Sequence, residues 1–193
     1  MDIVLGIRLK NCTLIATSKA FTRGISVLKA TDDKTIDLNT HNMIAFTGES
    51  GDTTQFAEHI KANVQLFGLR EGYDMESSEI ASFVRHELAT SIRSRKPYQV
   101  QILVAGVKDG GDGFLSMIDY LGTRCDLPYA AHGYAAFYTM SLLDHHYKDD
   151  IDLDTGLRLL KLCEEELNKR MPIDFKGLNV KIVDKNGIRF IDF

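Results

Sequence analysis

The chain opens on a period of two. Ile3, Leu5, Ile7 and Leu9 alternate with Val4, Gly6 and Arg8, which predicts a β-strand. Lys10-Asn11 reads as a turn, and Thr13 to Thr17 as a second, mostly apolar strand. The polar, Gly-interrupted stretch from Ser18 to Asp37 leaves room for two short strands, around Ser26–Lys29 and Lys34–Leu38. Met43–Thr47 makes another, closed by Gly48.

The period then changes to 3.6. Asp52-Thr53-Thr54-Gln55 reads as a variant capping box, and Phe56, Ile60, Val64 and Phe67 follow on one helical face. After a loop around Gly72, Ile80, Val84, Leu88 and Ile92 share a face of a second helix. Arg93, Arg95 and Lys96 crowd its end before Pro97, where a cation complements the helix dipole. No aromatic residues interleave with these charges, so they do not read as a nucleic-acid patch.

Strands resume at Val100–Val107, then a Gly-rich tip (Asp109 to Gly113), then Phe114–Tyr120 and Thr123–Leu127. A third helix is expected from about Tyr134 to His146. A fourth starts near Asp154, with Leu157, Leu160, Cys163 and Leu167 inward. Leu178–Val183 and Ile188–Ile191 close the chain around Asn186-Gly187, a type I′ hairpin signal. Helices arriving in adjacent pairs argue against a doubly wound parallel sheet. The fold class expected is α+β, a four-layer αββα sandwich with two mainly antiparallel sheets between two helix pairs, and one domain over residues 1–193.

Composition changes this picture little. The 193 residues are 44% hydrophobic and 26% charged, with three Pro and no Trp, which excludes a disordered or low-complexity chain. A chain of this length buries roughly 70% of its unfolded surface and needs no disulfide or metal to fold. Lys plus Arg number 23 against 27 Asp plus Glu, a formal charge of -4, so no nucleic-acid partner is expected. Apolar runs fall far short of the roughly 20 residues that span a bilayer, and Arg8 and Lys10 sit where a signal peptide would be apolar. Cys12, Cys125 and Cys163 are odd in number and form no CxxC pair, which suits free thiols in a reducing compartment. The expectation is a soluble intracellular domain with no membrane partner, so the Asn11-Cys12-Thr13 sequon reads as accidental.

Candidate chemistry fails on spacing. Asp150, Asp152 and Asp154 mimic the start of an EF-hand loop, but its sixth and twelfth places hold Thr155 and Lys161. Asp144-His145-His146 resembles a metal cluster, yet adjacent helical side chains diverge by about 100°. Gly48-Glu49-Ser50-Gly51 lacks the GxSxG spacing of a nucleophile elbow, and the glycines at 110, 111 and 113 lack the order of a phosphate cradle. No catalytic, cofactor-binding or metal residue is expected.

Five stretches carry a family resemblance: Leu5-Gly6-Ile7, Thr47-Gly48-Glu49-Ser50-Gly51-Asp52, Ser94-Arg95-Lys96-Pro97-Tyr98, Ala131-His132-Gly133-Tyr134 and Val183-Asp184-Lys185-Asn186-Gly187-Ile188. Over its whole length the chain resembles a proteasome β-type subunit of the N-terminal nucleophile hydrolase superfamily. Gly51 to Leu66, Leu142 to Tyr147 and Lys169-Arg170-Met171-Pro172 are most like the non-catalytic type at the fourth position of the eukaryotic β ring. In active members an N-terminal Thr hydroxyl attacks the peptide carbonyl with its own amine as base. An Asp and a Lys tune that amine, and a Gly N–H serves the oxyanion.

Aligned on Leu5-Gly6-Ile7, the Thr position falls on Asp2, or on Met1 with a one-residue slip. The Asp position falls on Ser18, while Lys34 and Gly48 match the Lys and the Gly. The family's supporting Ser/Asp/Ser appear as His132, Met171 and Asp174. Strand one starting at the initiator leaves no propeptide to cleave, so processing is not expected to create a nucleophile. The resemblance implies a structural, non-catalytic β-ring subunit of the 20S core particle in ubiquitin-dependent degradation, in cytoplasm and nucleus. Its partners would be β-type ring neighbours, the opposite β ring, α-type subunits and assembly chaperones. The rival readings are a free-standing hydrolase of the same superfamily and a monomeric binding module.

Overall fold

A computed structural model describes residues 2–193. Strands β1 (Ile3–Arg8) and β2 (Cys12–Ser18) are apolar on both faces because both faces are covered. They sit in an antiparallel five-stranded sheet of order β10-β1-β2-β11-β12, with β10 at Tyr129–Gly133, β11 at Leu178–Asp184 and β12 at Gly187–Ile191. The second sheet has order β5-β6-β7-β8-β9, comprising Thr35–Asn39, Asn42–Gly48, Val100–Val107, Gly113–Ile118 and Arg124–Asp126. A separate ribbon pairs β3 (Phe21–Arg23) with β4 (Ser26–Lys29).

Three apolar layers hold the sandwich together. Between the sheets lie Val4, Ile15, Met43, Ala45, Leu103, Leu115 and Val183. Gly6 belongs to this contact: a Cβ there would lie 2.7 Å from Leu115 Cδ1, so a larger residue would have to push that side chain aside. Outside one sheet, helices α1 (Ser50–Glu71) and α2 (Ser77–Ser91) bury Phe56, Ile60, Val64, Ile80, Val84 and Leu88 against Ile44, Val100, Ile102 and Val104. Outside the other, α3 (Ala135–His146) and α4 (Leu153–Arg170) bury Leu143, Leu160, Cys163 and Leu167 against Ile3, Leu5, Leu14 and Ile182. Each fully buried aliphatic side chain contributes roughly 1.5–3 kcal/mol. The result is the four-layer αββα sandwich that the element order pointed to.

Local details depart from the sequence reading. β3 and β10 were not expected; both are short and follow turns. Asp52 does not cap α1, whose N-cap is Glu49; its carboxylate instead accepts from the Gln99 N–H at 3.0 Å, tying α1 to the approach to β7. A capping box does form on α2, between Glu76 and Glu79. The last hairpin is not type I′, which needs positive φ at both central residues. Lys185 and Asn186 keep negative φ and Gly187 takes +100°, while Asp184 Oδ1 accepts from Asn186 N–H at 2.7 Å. Asp152 is the N-cap of α4, accepting from Thr155 N–H at 2.9 Å. The rings of His145 and His146 meet edge to face with centroids 4.8 Å apart, closer than helical divergence suggests.

A cation crosses the sandwich at one edge. Lys181, in the apolar run of β11, reaches Thr35 Oγ1 (2.7 Å), Asp33 (3.1 Å) and Asp37 (3.4 Å) and lies 4.7 Å from the Phe190 ring centroid. It fastens the C-terminal hairpin to the segment that carries Lys34.

Candidate functional site

Lys34 immediately precedes β5, and its backbone carbonyl accepts from Phe46 N–H, joining it to β6. Its side chain, 4% exposed, runs inward to the end of β2. The ammonium donates to the carbonyls of Ser18 and Ala20, both at 2.8 Å, and faces Asp32 Oδ2 at 3.3 Å. Two of its three protons go to backbone carbonyls, and Asp32 stands beside it as an ion-pair partner. Asp2 Oδ1 lies farther off, at 3.8 Å, and Asp2 Oδ2 accepts from Thr47 Oγ1 at 3.4 Å.

The other matched positions close around this point. Ser18, on β2, accepts from Ile3 N–H through its hydroxyl at 3.2 Å, so it helps fix the start of β1 and offers no carboxylate. Gly48 ends β6 with φ +144°, and a Cβ there would lie 2.0 Å from the Gln99 carbonyl oxygen. Glu49 N–H donates to that same oxygen at 3.0 Å. Packing of β6 on β7 therefore demands glycine whether or not an oxyanion is ever held.

A cleft of about 290 Å³ opens beside these residues, lined among others by Asp2, Phe21, Lys34, Thr47, Gly48 and Ser50. No His or Cys lies among its described lining residues to act as base toward Thr47 or Ser50. The chain's buried thiols are poor nucleophiles too. Burial, with Asp184 nearby, pushes Cys12 up to about 11, and burial pushes Cys163 up to about 12.

The supporting trio does not assemble at the cleft. His132 is buried between the sheets, its Nε2 3.1 Å from the Ile102 carbonyl, and burial holds its pKa below the ordinary value. Met171 is the C-cap of α4, and Asp174 pairs with Lys176 at 2.6 Å. Their segment does run alongside: Phe175 and Gly177 carbonyls accept from Ala20 and Lys19 N–H. The alternative of Met1 at the Thr position lies outside the described residues.

Sequence reasoning missed Asp32, the acid that forms an ion pair with Lys34 at 3.3 Å. The signal was present as Asp32-Asp33-Lys34, three charges in a row just before a strand.

Comparison with known proteins agrees with this layout. A family model described as proteasome subunit matches residues 2–183. The chain belongs to the proteasome subunit family. It is 59% identical over 193 residues to proteasome subunit beta type-4 of Saccharomyces cerevisiae, covering 100% of this chain and 98% of that one. It is 61% identical over 194 residues to the probable proteasome subunit beta type-4 of Meyerozyma guilliermondii, with both chains covered completely. Proteasome subunit beta type-2 of Dictyostelium discoideum is 36% identical over 197 residues, covering 100% and 98%. A proteasome subunit acts in an assembly with other subunits, and no helix among the described residues is long and apolar enough to cross a membrane.

Proposed function

We propose that this chain is a structural, non-catalytic subunit of the β ring of the 20S proteasome core particle, in which residues 1–193 form one domain. The chain is a β-type subunit of a threonine-type peptidase complex that degrades proteins. Its own contribution is the shape it presents: part of the chamber wall and contact faces for β-type ring neighbours, the opposite β ring and α-type subunits. Assembly chaperones and a location in cytoplasm and nucleus belong to the same reading.

One observation carries it. The lysine that would tune an N-terminal amine is engaged by hydrogen bonds to two backbone carbonyls and an ion pair with Asp32, with Asp2 rather than a hydroxyl beside it. A carboxylate repels developing negative charge and cannot open a peptide bond in the manner of an activated Thr. Ser18 leaves no acid at the position from which such an amine would be oriented.

The test is to treat the assembled particle with an epoxyketone or β-lactone and map the adducts by mass. This chain should carry no adduct at residue 1 or 2 and should migrate with the particle. An adduct there would overturn the non-catalytic reading, and a chain found only as a monomer would overturn the ring assignment.

A further inference from the structure

The far end of β1 holds a second cleft of about 230 Å³, lined by Arg8, Lys10, Lys108, Tyr147, Asp112 and Asp150 among others. Three contacts build it. Tyr147 donates its hydroxyl hydrogen to the Arg8 carbonyl at 3.0 Å, Lys10 N–H donates to Ile151 O at 3.3 Å, and Gly113 N–H donates to Lys10 O at 3.3 Å. The end of β1, the β7–β8 tip and the α3–α4 turn are thereby locked around one polar hollow.

Among the described residues, neither Arg8, Lys10 nor Lys108 takes part in an ion pair. Lys108 lies 5.9 Å from the Phe114 ring centroid, and the Arg8 guanidinium neighbours the Tyr147 hydroxyl. Three such cations share one hollow in a chain of formal charge -4. The hollow is several times the roughly 30 Å³ that one water occupies in the liquid.

We infer that the cleft between Arg8, Lys10 and Lys108 binds one small oxyanion of the phosphate class. The guanidinium offers a planar pair of N–H donors and the two ammonium groups add mobile point charges, which suits a tetrahedral anion. Asp112 and Asp150 restrict the site. Three cations against two carboxylates leave a single formal positive charge, so a compact anion is held between the bases while an extended polyanion meets the acids. The site stands roughly 20 Å from Asp2, the length of a six-residue strand, and does not rest on the non-catalytic reading.

The test uses the assembled particle, purified without phosphate and examined crystallographically with tungstate, an anomalously scattering phosphate analogue. A tungstate peak within hydrogen-bond reach of Arg8 and Lys108 is expected, displaced by added inorganic phosphate. Arg8→Met and Lys108→Met should each weaken occupancy on the order of tenfold, and the double variant should abolish it. A cleft without tungstate, a peak that phosphate does not displace, or one that persists in the double variant overturns the inference. Lys108→Met, on a hairpin tip, serves alone should Arg8→Met disturb folding.

Discussion

β1 joins two charged clefts of opposite character. At its start, the Lys34 ammonium is 4% exposed, donates to two backbone carbonyls and pairs with Asp32. At its end, Arg8, Lys10 and Lys108 surround a hollow of similar size that Asp112 and Asp150 also line, and among the described residues none of the three forms an ion pair. The first place holds one cation and the second three, and the disposition of their donors differs as well. A lysine whose protons are spent on backbone carbonyls positions strands, whereas unpaired cations around open space remain available to something else. The contacts of Lys34 and the close approach of Gly48 to Gln99 are thus demands of the fold itself.

The sharpest way to break the comparison is at Gly48. Adding a methyl group drives a Cβ to within 2.0 Å of the Gln99 carbonyl oxygen, and neither β6 nor β7 can yield without losing ladder bonds. Gly48→Ala should cost about 4 kcal/mol or more, read as the urea midpoint of the purified chain, and should reduce incorporation into the particle. A cost below about 1 kcal/mol would mean that the glycine is kept for another reason.

Lys34→Met comes next. It preserves most of the side-chain volume but strands the Ser18 and Ala20 carbonyls and leaves Asp32 without its inner partner. Removing one member of such a buried group costs about 3 kcal/mol. Denaturant unfolding checks the value, and reactivity toward the epoxyketone should stay absent in both forms.

His132 gives a smaller effect with a definite sign. Burial depresses its pKa below 6.5, opposed by the Ile102 carbonyl and Asp119, so the unfolded chain takes up a proton before the folded one does. The contribution of neutral His132 is then complete above pH 6.5 and is lost as pH falls through the folded value. Unfolding midpoints taken between neutral and mildly acid pH should fall more for the natural chain than for His132→Gln. Equal slopes would mean that other groups set the acid sensitivity.

Periodicity made the layers legible before any coordinates. Val100–Val107 and the Phe56, Ile60, Val64 face declare themselves because burial alone fixes their pattern. The edge strand β10 escaped because Tyr129–Gly133 is five residues dominated by small side chains, with no alternation to read. Asp52 misled because a carboxylate near a helix start fits a cap locally, while its true partner, Gln99, is 47 positions away. The Lys181 crossing escaped for the same reason: a lysine in an apolar strand looks exposed until the other sheet supplies Asp33 and Asp37. At the candidate site, Asp2 and Ser18 could be matched by position, but the bonds from Lys34 to the Ser18 and Ala20 carbonyls leave no trace in side-chain identities.

The smallest expected effect lies at the far end of β1, and its smallness is informative. Arg8, Lys10 and Lys108 make no ion pair among the described residues, so replacing any of them by Met should change stability by no more than about 0.5 kcal/mol in phosphate-free buffer. Inorganic phosphate, bound only by the folded chain, should raise the unfolding midpoint of the natural chain, by mass action. Because the chain's contacts at Lys34 do not involve that anion, Lys34→Met should leave the increment unchanged, while Arg8→Met should remove most of it. An increment that follows Lys34 instead of Arg8 would place the anion at the wrong end of the strand and reverse the contrast between the two clefts.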